Sequence, residues 1–315
     1  MNHLVSVIIC TYNRCEDLGR VLDSLLKQRT NNHFTYEAII VDNNSTDQTK
    51  EVVSKYQTQF QEKLKYLLES KQGKSYALNL GIKTAQGDIL CFTDDDVILD
   101  EFWLEKIVEC YDQHACDGVG GRVLPVFPSD TPAWVRDNAV KLSGAVVIYD
   151  HGDTTVPLHN SMYRFIGANY SFKRSIFKQL GDFRTDLGPG KGTVGEDVEL
   201  VDRFLDNGKI LYYCGEALVW HPFDMKRLTL KHVAKWNIEL GTFKVRKEIE
   251  KKEAFIFYFG IPRYLIRGIM RDFLRLITVC YNRPAFFIAW RDLFCKAGMI
   301  REYKKIDHKR KFGHA

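Results

Sequence analysis

Three short apolar runs organise the first part of the chain: Leu4–Cys10 (LVSVIIC), Tyr36–Asp42 (YEAIIVD) and Asp88–Phe92 (DILCF). Each is close to continuously hydrophobic, the pattern of a strand buried on both faces. Between the first two, residues 16–27 place Leu18, Val21, Leu22, Leu25 and Leu26 on one side of a helix. After the second comes a polar loop whose Ser45, Thr46 or Asp47 can cap a helix running to about Phe60. A shorter strand at 65–68 and a helix at 75–85 lead into the third run. Strands alternating with helices at this spacing predict an α/β fold, a Rossmann-like, mostly parallel sheet with helices on both faces. Right-handed crossovers follow.

The third run ends abruptly in Asp94, Asp95 and Asp96. Adjacent carboxylates repel one another, and at the carboxyl end of a buried strand, where open α/β sheets bind ligands, such a triplet points to a bound cation. The alternative is a solvated acidic turn. Hard oxygen ligands suit Mn²⁺ or Mg²⁺, with diphosphate oxygens and water completing the shell.

A chain of 315 residues, 45% hydrophobic, can bury one large core or a core with an appendage. None of its eight cysteines forms a C-x-x-C pair, and several lie in apolar runs, so a reducing compartment is expected. The sequence enters its first strand without a basic n-region or cleavage site, which predicts a cytoplasmic protein. Charge is unevenly spread: residues 225–315 carry 22 Lys and Arg against 8 Asp and Glu, net +14, and the rest carry 23 against 32, net −9. The expected division is a body at 1–223 followed by a basic helical extension at 224–315.

Beyond the aspartates, helices are expected at 101–114, 175–180 and 196–207, and strands at 118–127, 164–172 and 209–220; residues 128–159 show no clear periodicity. The Gly-rich stretch 181–197 (GDFRTDLGPGKGTVGED) reads as a long loop of the kind used for lids and binding surfaces.

The ordered set VIICTYNR (7–14), IIVDNNSTDQT (39–49), GKSYALNLGIKTAQGDILCFTDDD (73–96), FIGANYSFKR (165–174), GEDVEL (195–200) and VWHP (219–222) resembles family 2 glycosyltransferases, over about Leu4 to Pro222. The resemblance implies the A-type glycosyltransferase fold, with 1–223 as a catalytic domain made of a nucleotide-binding half at 1–99 and an acceptor half at 100–223, and inverting transfer of a sugar from a nucleoside-diphosphate donor, usually a UDP-sugar, to an acceptor hydroxyl. It also implies that Thr11, Asn13, Arg14 and Asp42 cradle base and ribose, where their own residue types also suit polar strand-end loops; Lys74 either offsets donor charge or is an exposed lysine, and Asp94 contacts ribose or metal-bound water with Asp95 beside it on the nucleotide side. Asp96, with Asp94, is the implied metal ligand. His221 is either a third ligand, a diphosphate contact or a structural histidine. Asp197 is the implied base on the acceptor hydroxyl, with Glu196 orienting or touching the acceptor; without the resemblance, both read as helix N-terminal carboxylates. Arg203 is placed to hold the preceding loop. Gly167–Asn169 resembles the segment approaching donor sugar or acceptor, and Trp134 is either a sugar platform or core.

In the tail, Arg263, Arg267, Arg271 and Arg275 recur every four residues between Leu265, Ile266, Ile269, Met270, Phe273, Leu274 and Ile277. Steps of four drift by only ~40° on a helix, so the arginines form one slanted stripe beside an apolar face. Residues 285–296 are a second aromatic-rich segment. No uncharged stretch reaches the roughly 20 residues that span a bilayer. Two readings stay open for the tail: an interfacial helix on an anionic membrane surface at the cytoplasmic face, or packing on the catalytic domain. The first suits a lipid-linked or saccharide acceptor and a role in cell-surface polysaccharide or glycolipid synthesis.

Two other functions compete. DDDVI loosely fits the nucleophile loop of haloacid-dehalogenase-like phosphatases, but two complete βα units precede it and Ile98 stands where Thr or Val belongs. A nucleotide-sugar-binding protein without transferase activity would have little use for both Asp96 and Asp197. Nucleic acid is not expected as a partner, given the acidic body and the lack of a recognised binding module.

Overall fold

The apolar runs become strands held in one sheet. The computed structural model describes residues 3–142, 144–158, 164–191, 193–250 and 255–312. By chain contacts they form two compact units, one of residues 1–126, 147–190 and 196–222, the other of 127–146, 191–195 and 223–315.

In the first unit, β1 (His3–Thr11), β2 (Phe34–Asp42), β3 (Leu64–Leu68) and β4 (Ile89–Thr93) are parallel. They are joined by α1 (Cys15–Leu26), α2 (Thr49–Phe60) and α3 (Lys74–Thr84). The chain continues through β5 (Ile98–Leu99), α4 (Trp103–Gln113), β6 (Gly118–Val126), β7 (Thr155–Pro157) and β8 (Tyr170–Lys173). The sheet has nine strands in the order β3-β2-β1-β4-β8-β6-β9-β5, where β9 is Leu211–Pro222 and also carries β7. The long ladders are parallel, including β6 on β9, and the shorter ones that β8, β5 and β7 make are antiparallel.

The register aligns Thr11 with Asp42, so the carboxyl ends of β1 and β2 open together. The N-cap position of α2 is Gln48, without a side-chain cap, rather than Ser45, Thr46 or Asp47; Asp47, one residue earlier, accepts from the Thr49 backbone N–H at 3.1 Å and from that of Cys15 at 3.0 Å, tying the loops after β1 and β2 together. Under the carboxyl end of β4, the rings of Phe92 and Tyr170 stack at 5.2 Å, within a buried cluster that includes Phe172, Phe177 and Phe204. Such rings bury large apolar area and hold a rigid floor.

The strand expected at 164–172 is short. Only Tyr170–Lys173 pairs, against β4 and β6, because the preceding residues turn to meet α7 (Glu196–Asp206). The chain also forms α5 (Ala133–Arg136), which belongs to the second unit, and α6 (Arg174–Leu180), which belongs to the first. Arg203 on α7 donates to the carbonyls of Leu180, Gly181 (3.1 Å) and Asp182 (2.8 Å), clamping the start of the Gly-rich loop. Gly192 of that loop lies outside the described residues.

The second unit is built on α8 (Leu230–Glu250), α9 (Arg263–Thr278) and α10 (Arg283–Phe312), with a small hairpin of β10 (Phe257–Tyr258) and β11 (Ile261–Pro262). Contacts at Leu230 with Trp290, Ile238 with Gly298 and Arg246 with Glu302 run α8 and α10 side by side in the same direction. A Cβ on Gly241 would lie 2.1 Å from the Cys295 carbonyl oxygen, so only glycine permits this approach. Phe287 packs with Val135, Leu142, Val146 and Val233 in one core of this unit. The aromatic segment at 285–296 therefore follows the packing reading within its own unit. Among the described residues no helix is long and apolar enough to cross a membrane.

Candidate active site

The aspartate triplet stands at the carboxyl end of β4, and two basic side chains reach it from neighbouring βα turns. Lys74, the first residue of α3, donates to Asp94 Oδ1 at 2.6 Å, and its Nζ lies 3.9 Å from Glu196 Oε1. Arg14, just after β1, donates through one nitrogen to Asp95 Oδ1 at 2.9 Å and Asp96 Oδ2 at 2.7 Å.

Asp197, in the first turn of α7, accepts from its neighbour Val198 N–H at 2.8 Å and from Gly167 N–H at 2.9 Å. A Cβ at Gly167 would stand 3.3 Å from Lys74 Nζ, 3.5 Å from Asp197 Oδ2 and 3.8 Å from Asp94 Oδ1. Residues 74, 94, 167 and 197 thus share one small space, and a larger side chain at 167 would crowd it.

His221, near the end of β9, is 3% exposed. Its Nδ1 lies 3.0 Å from the Pro222 carbonyl oxygen, an acceptor only, which assigns the proton to Nδ1. The basic Nε2 then faces Asp96 Oδ1 at 3.5 Å. One ligand atom each from Asp94, Asp96 and His221 lie within 4.8 Å of one another. Two carboxylates and an imidazole with its second nitrogen bonded fit a hard or borderline divalent cation such as Mn²⁺ or Mg²⁺.

The charges are strongly interdependent. Burial pushes the Glu196 carboxyl up to about 7, with Asp197 adding to the rise and Lys74 opposing it. Burial likewise raises Asp197, against Lys74 and the Val198 N–H. Burial would raise Asp94 too, yet the Lys74 ammonium holds it below its ordinary value. Burial lifts Asp95 to about 6 despite Arg14. Burial opposes the charge on Lys74, but Asp94 and Glu196 keep it fully protonated. The pocket therefore holds a fixed cation between a carboxylate kept ionised and a pair that binds protons readily.

The remaining expected residues fall at the same strand ends. Asp42 is buried and accepts from Ser45 N–H at 2.8 Å and Tyr66 Oη at 2.7 Å. Thr11 is buried beside it in register. Asn13, at φ 52°, accepts from Thr46 N–H at 2.7 Å, so its side chain braces two loops. Asn169, within the Gly167–Asn169 segment, is an internal strut: it accepts from Trp103 Nε1 at 2.8 Å and donates to the carbonyls of Arg122 and Ala217 at 2.9 and 2.8 Å. Only Gly167 of that segment borders the charged cluster. Trp134 belongs to the second unit, where its ring lies 6.4 Å from that of Phe287, against a hydrophobic core. Gly167 was singled out for close approach but not as the donor that holds Asp197, and Tyr66, which holds Asp42, was not singled out at all, because no motif links positions so far apart in the chain.

A mostly parallel sheet with acidic and basic side chains gathered at its carboxyl edge has the architecture in which open α/β proteins place their ligand sites. The sequence model described as Glycosyl transferase family 2 matches residues 6–181, and the chain belongs to that family. Glycosyltransferase AglE of Haloferax volcanii is 30% identical over 226 residues, 69% of this chain and 66% of that protein. The chain spans about a third to two thirds of the curated relatives it matches first. Among solved structures, the mannosyltransferase PcManGT from Pyrobaculum calidifontis, in complex with GDP-Man and Mn²⁺, superposes with a TM-score of 0.61 at 17% identity, covering 100% of this chain and 89% of that one. TarS 1-349 of Staphylococcus aureus in complex with UDP gives 0.54 at 18% identity, covering 100% and 92%. These neighbours share the A-type glycosyltransferase fold. Family membership sets aside the phosphatase alternative.

Proposed function

We propose that the protein is a metal-dependent inverting glycosyltransferase that moves a sugar from a nucleoside-diphosphate sugar, UDP-linked in the first instance, to an acceptor hydroxyl. The observation that carries this reading is the convergence of Lys74, Asp94 and Asp197 around Gly167, beside the Asp94, Asp96 and His221 cluster. Asp94, Asp96 and His221 would hold Mn²⁺ or Mg²⁺, whose charge neutralises the diphosphate leaving group. Lys74 and Arg14 add positive charge at the same edge, and Asp42, Thr11 and Asn13 border the place for base and ribose.

Asp197 takes the acceptor proton in this scheme. Its oxygens are oriented by two backbone N–H groups, and its raised affinity for protons suits a general base. Glu196 sits beside it with Lys74 as counter-ion and orients the acceptor or carries the proton onward. Asp95, paired with Arg14, faces the nucleotide side. The acceptor is a saccharide or a lipid-linked glycan, as in cell-surface polysaccharide or glycolipid synthesis, and the enzyme works at the cytoplasmic face, peripherally attached.

The test is nucleotide release from a panel of UDP-, GDP- and dTDP-sugars with Mn²⁺, comparing the protein with Asp197→Asn. Loss of a general base lowers turnover by about 10²–10⁴, with nucleotide binding retained. Equal release by the variant, or release indifferent to chelation of the metal, would remove this assignment.

A further inference from the structure

Two apolar stripes distinguish the tail helices, and only one is covered. On α10, Phe287 and Ala289 are buried, and Trp290 Nε1 donates to the Leu230 carbonyl at 3.0 Å. On α9 the inward side is Leu265, Gly268 and Asp272. The opposite side presents Met270, Phe273, Leu274 and Ile277, each 59–62% exposed. Those four positions follow the i, i+3, i+4, i+7 spacing of a single helix face. The hairpin before α9 adds Phe259, 95% exposed, at its turn.

The charges lie beside that strip. At ~100° per residue, Arg267, Arg271 and Arg275 fall between the apolar strip and the buried side. Arg267 has no carboxylate partner among the described residues; Arg271, its side chain 77% exposed, has Nε 3.6 Å from Asp272 Oδ1, and Arg275 has a guanidinium nitrogen 3.6 Å from Asp292 Oδ2, both loose pairs that leave nitrogens for a second anion. A groove of about 590 Å³ runs along this flank, lined by Phe255, Ile256, Arg263, Arg267, Arg271 and Lys296. Asp272, the acid beneath it, is buried and paired with Lys296.

We propose that this face of α9 is a docking surface for an anionic phospholipid bilayer. It specifies the peripheral attachment included in the proposed function, and it depends on no part of the transferase chemistry. A convex helix face with four apolar side chains in line suits a plane, which it meets lengthwise, with the apolar strip at the acyl boundary. The arginine row then meets headgroup phosphates, and the groove accepts a phosphodiester. The net +14 of residues 225–315 supplies the charge complementarity. The aromatic segment of α10 takes no part.

The test is co-sedimentation of the full chain with phosphatidylcholine vesicles, with and without phosphatidylglycerol. Binding is expected only with phosphatidylglycerol, and raised salt should weaken it. At about fivefold per basic residue near the surface, R267E/R271E should weaken partitioning about 30-fold or more. F273S/L274S should weaken it as well, whereas F286S, on α10, should bind as the parent does wherever its circular dichroism is unchanged. All three should keep nucleotide release from a soluble donor, which separates this surface from the transferase reading. No vesicle binding, or binding that both α9 variants retain, would overturn the proposal. So would a dimer that F273S/L274S dissolves, because a second copy would then own the face.

Discussion

Glu196 is where the charge arrangement should be most costly to the fold, and replacing it with Gln should stabilise the nucleotide-free protein at alkaline pH. The carboxyl is 5% exposed, next to Asp197, with Lys74 at 3.9 Å as its nearby cation. Its affinity for protons rises from an ordinary 4.5 to about 7, and the attraction of Lys74 is already inside that net value. A carboxyl raised in the folded state favours folding most below pH 4.5, and that contribution is lost as pH rises through about 7. At 1.36 kcal/mol for each pH unit of displacement, ionising it at pH 8 costs the folded state about 3 kcal/mol, and at pH 5 about 1 kcal/mol. Any packing penalty of the Gln side chain is the same at both values. Urea unfolding of E196Q and the parent, with chelator and no nucleotide, should therefore show the variant gaining about 2 kcal/mol on the parent between pH 5 and pH 8. A difference that stays constant, or one that moves in the parent's favour as pH rises, would refute the reasoning.

Lys74→Met removes the cation that Asp94 and Glu196 share, so both carboxyls should bind protons more tightly and the acid limb of the pH-rate profile should move to higher pH; an unmoved limb would mean that the ammonium does not act on these groups in the working enzyme. Trp103→Phe deletes the indole donor to Asn169 Oδ1 and leaves a buried acceptor unpaired, at about 1–3 kcal/mol in chemical denaturation. An unchanged midpoint would show that Asn169 finds another donor.

The three opening βα units were legible because β1, β2 and β4 are apolar almost without interruption, and their polar carboxyl ends mark where side chains meet ligand. Strand order was not, since β8 and β9 enter beside β4 and β6 through pairings between residues far apart in the chain, which no local periodicity encodes. Residues 164–169 look like strand continuation, yet the Gly167 N–H is spent on Asp197 and the ladder starts only at Tyr170. α8 left no clean stripe because its buried positions include Asn237, Gly241 and Thr242, which are polar or small. At the site, the aspartate triplet stood out by its residue types, whereas Glu196 and Asp197 were picked out only by the family resemblance. Lys74 reaching both Asp94 and Glu196 depends on where α3 and α7 begin, and that is a tertiary fact. The tail's two stripes were equally visible, and only packing decided which was covered.

The most direct measurement is calorimetric titration of UDP into the protein with and without Mn²⁺, repeated with Asp96→Ala. The account predicts binding that requires the metal and disappears in the variant, because Asp96, 3.5 Å from His221, belongs with Asp94 to the one cluster among the described residues able to hold a cation. UDP binding that is unaffected by both the metal and the substitution would contradict it.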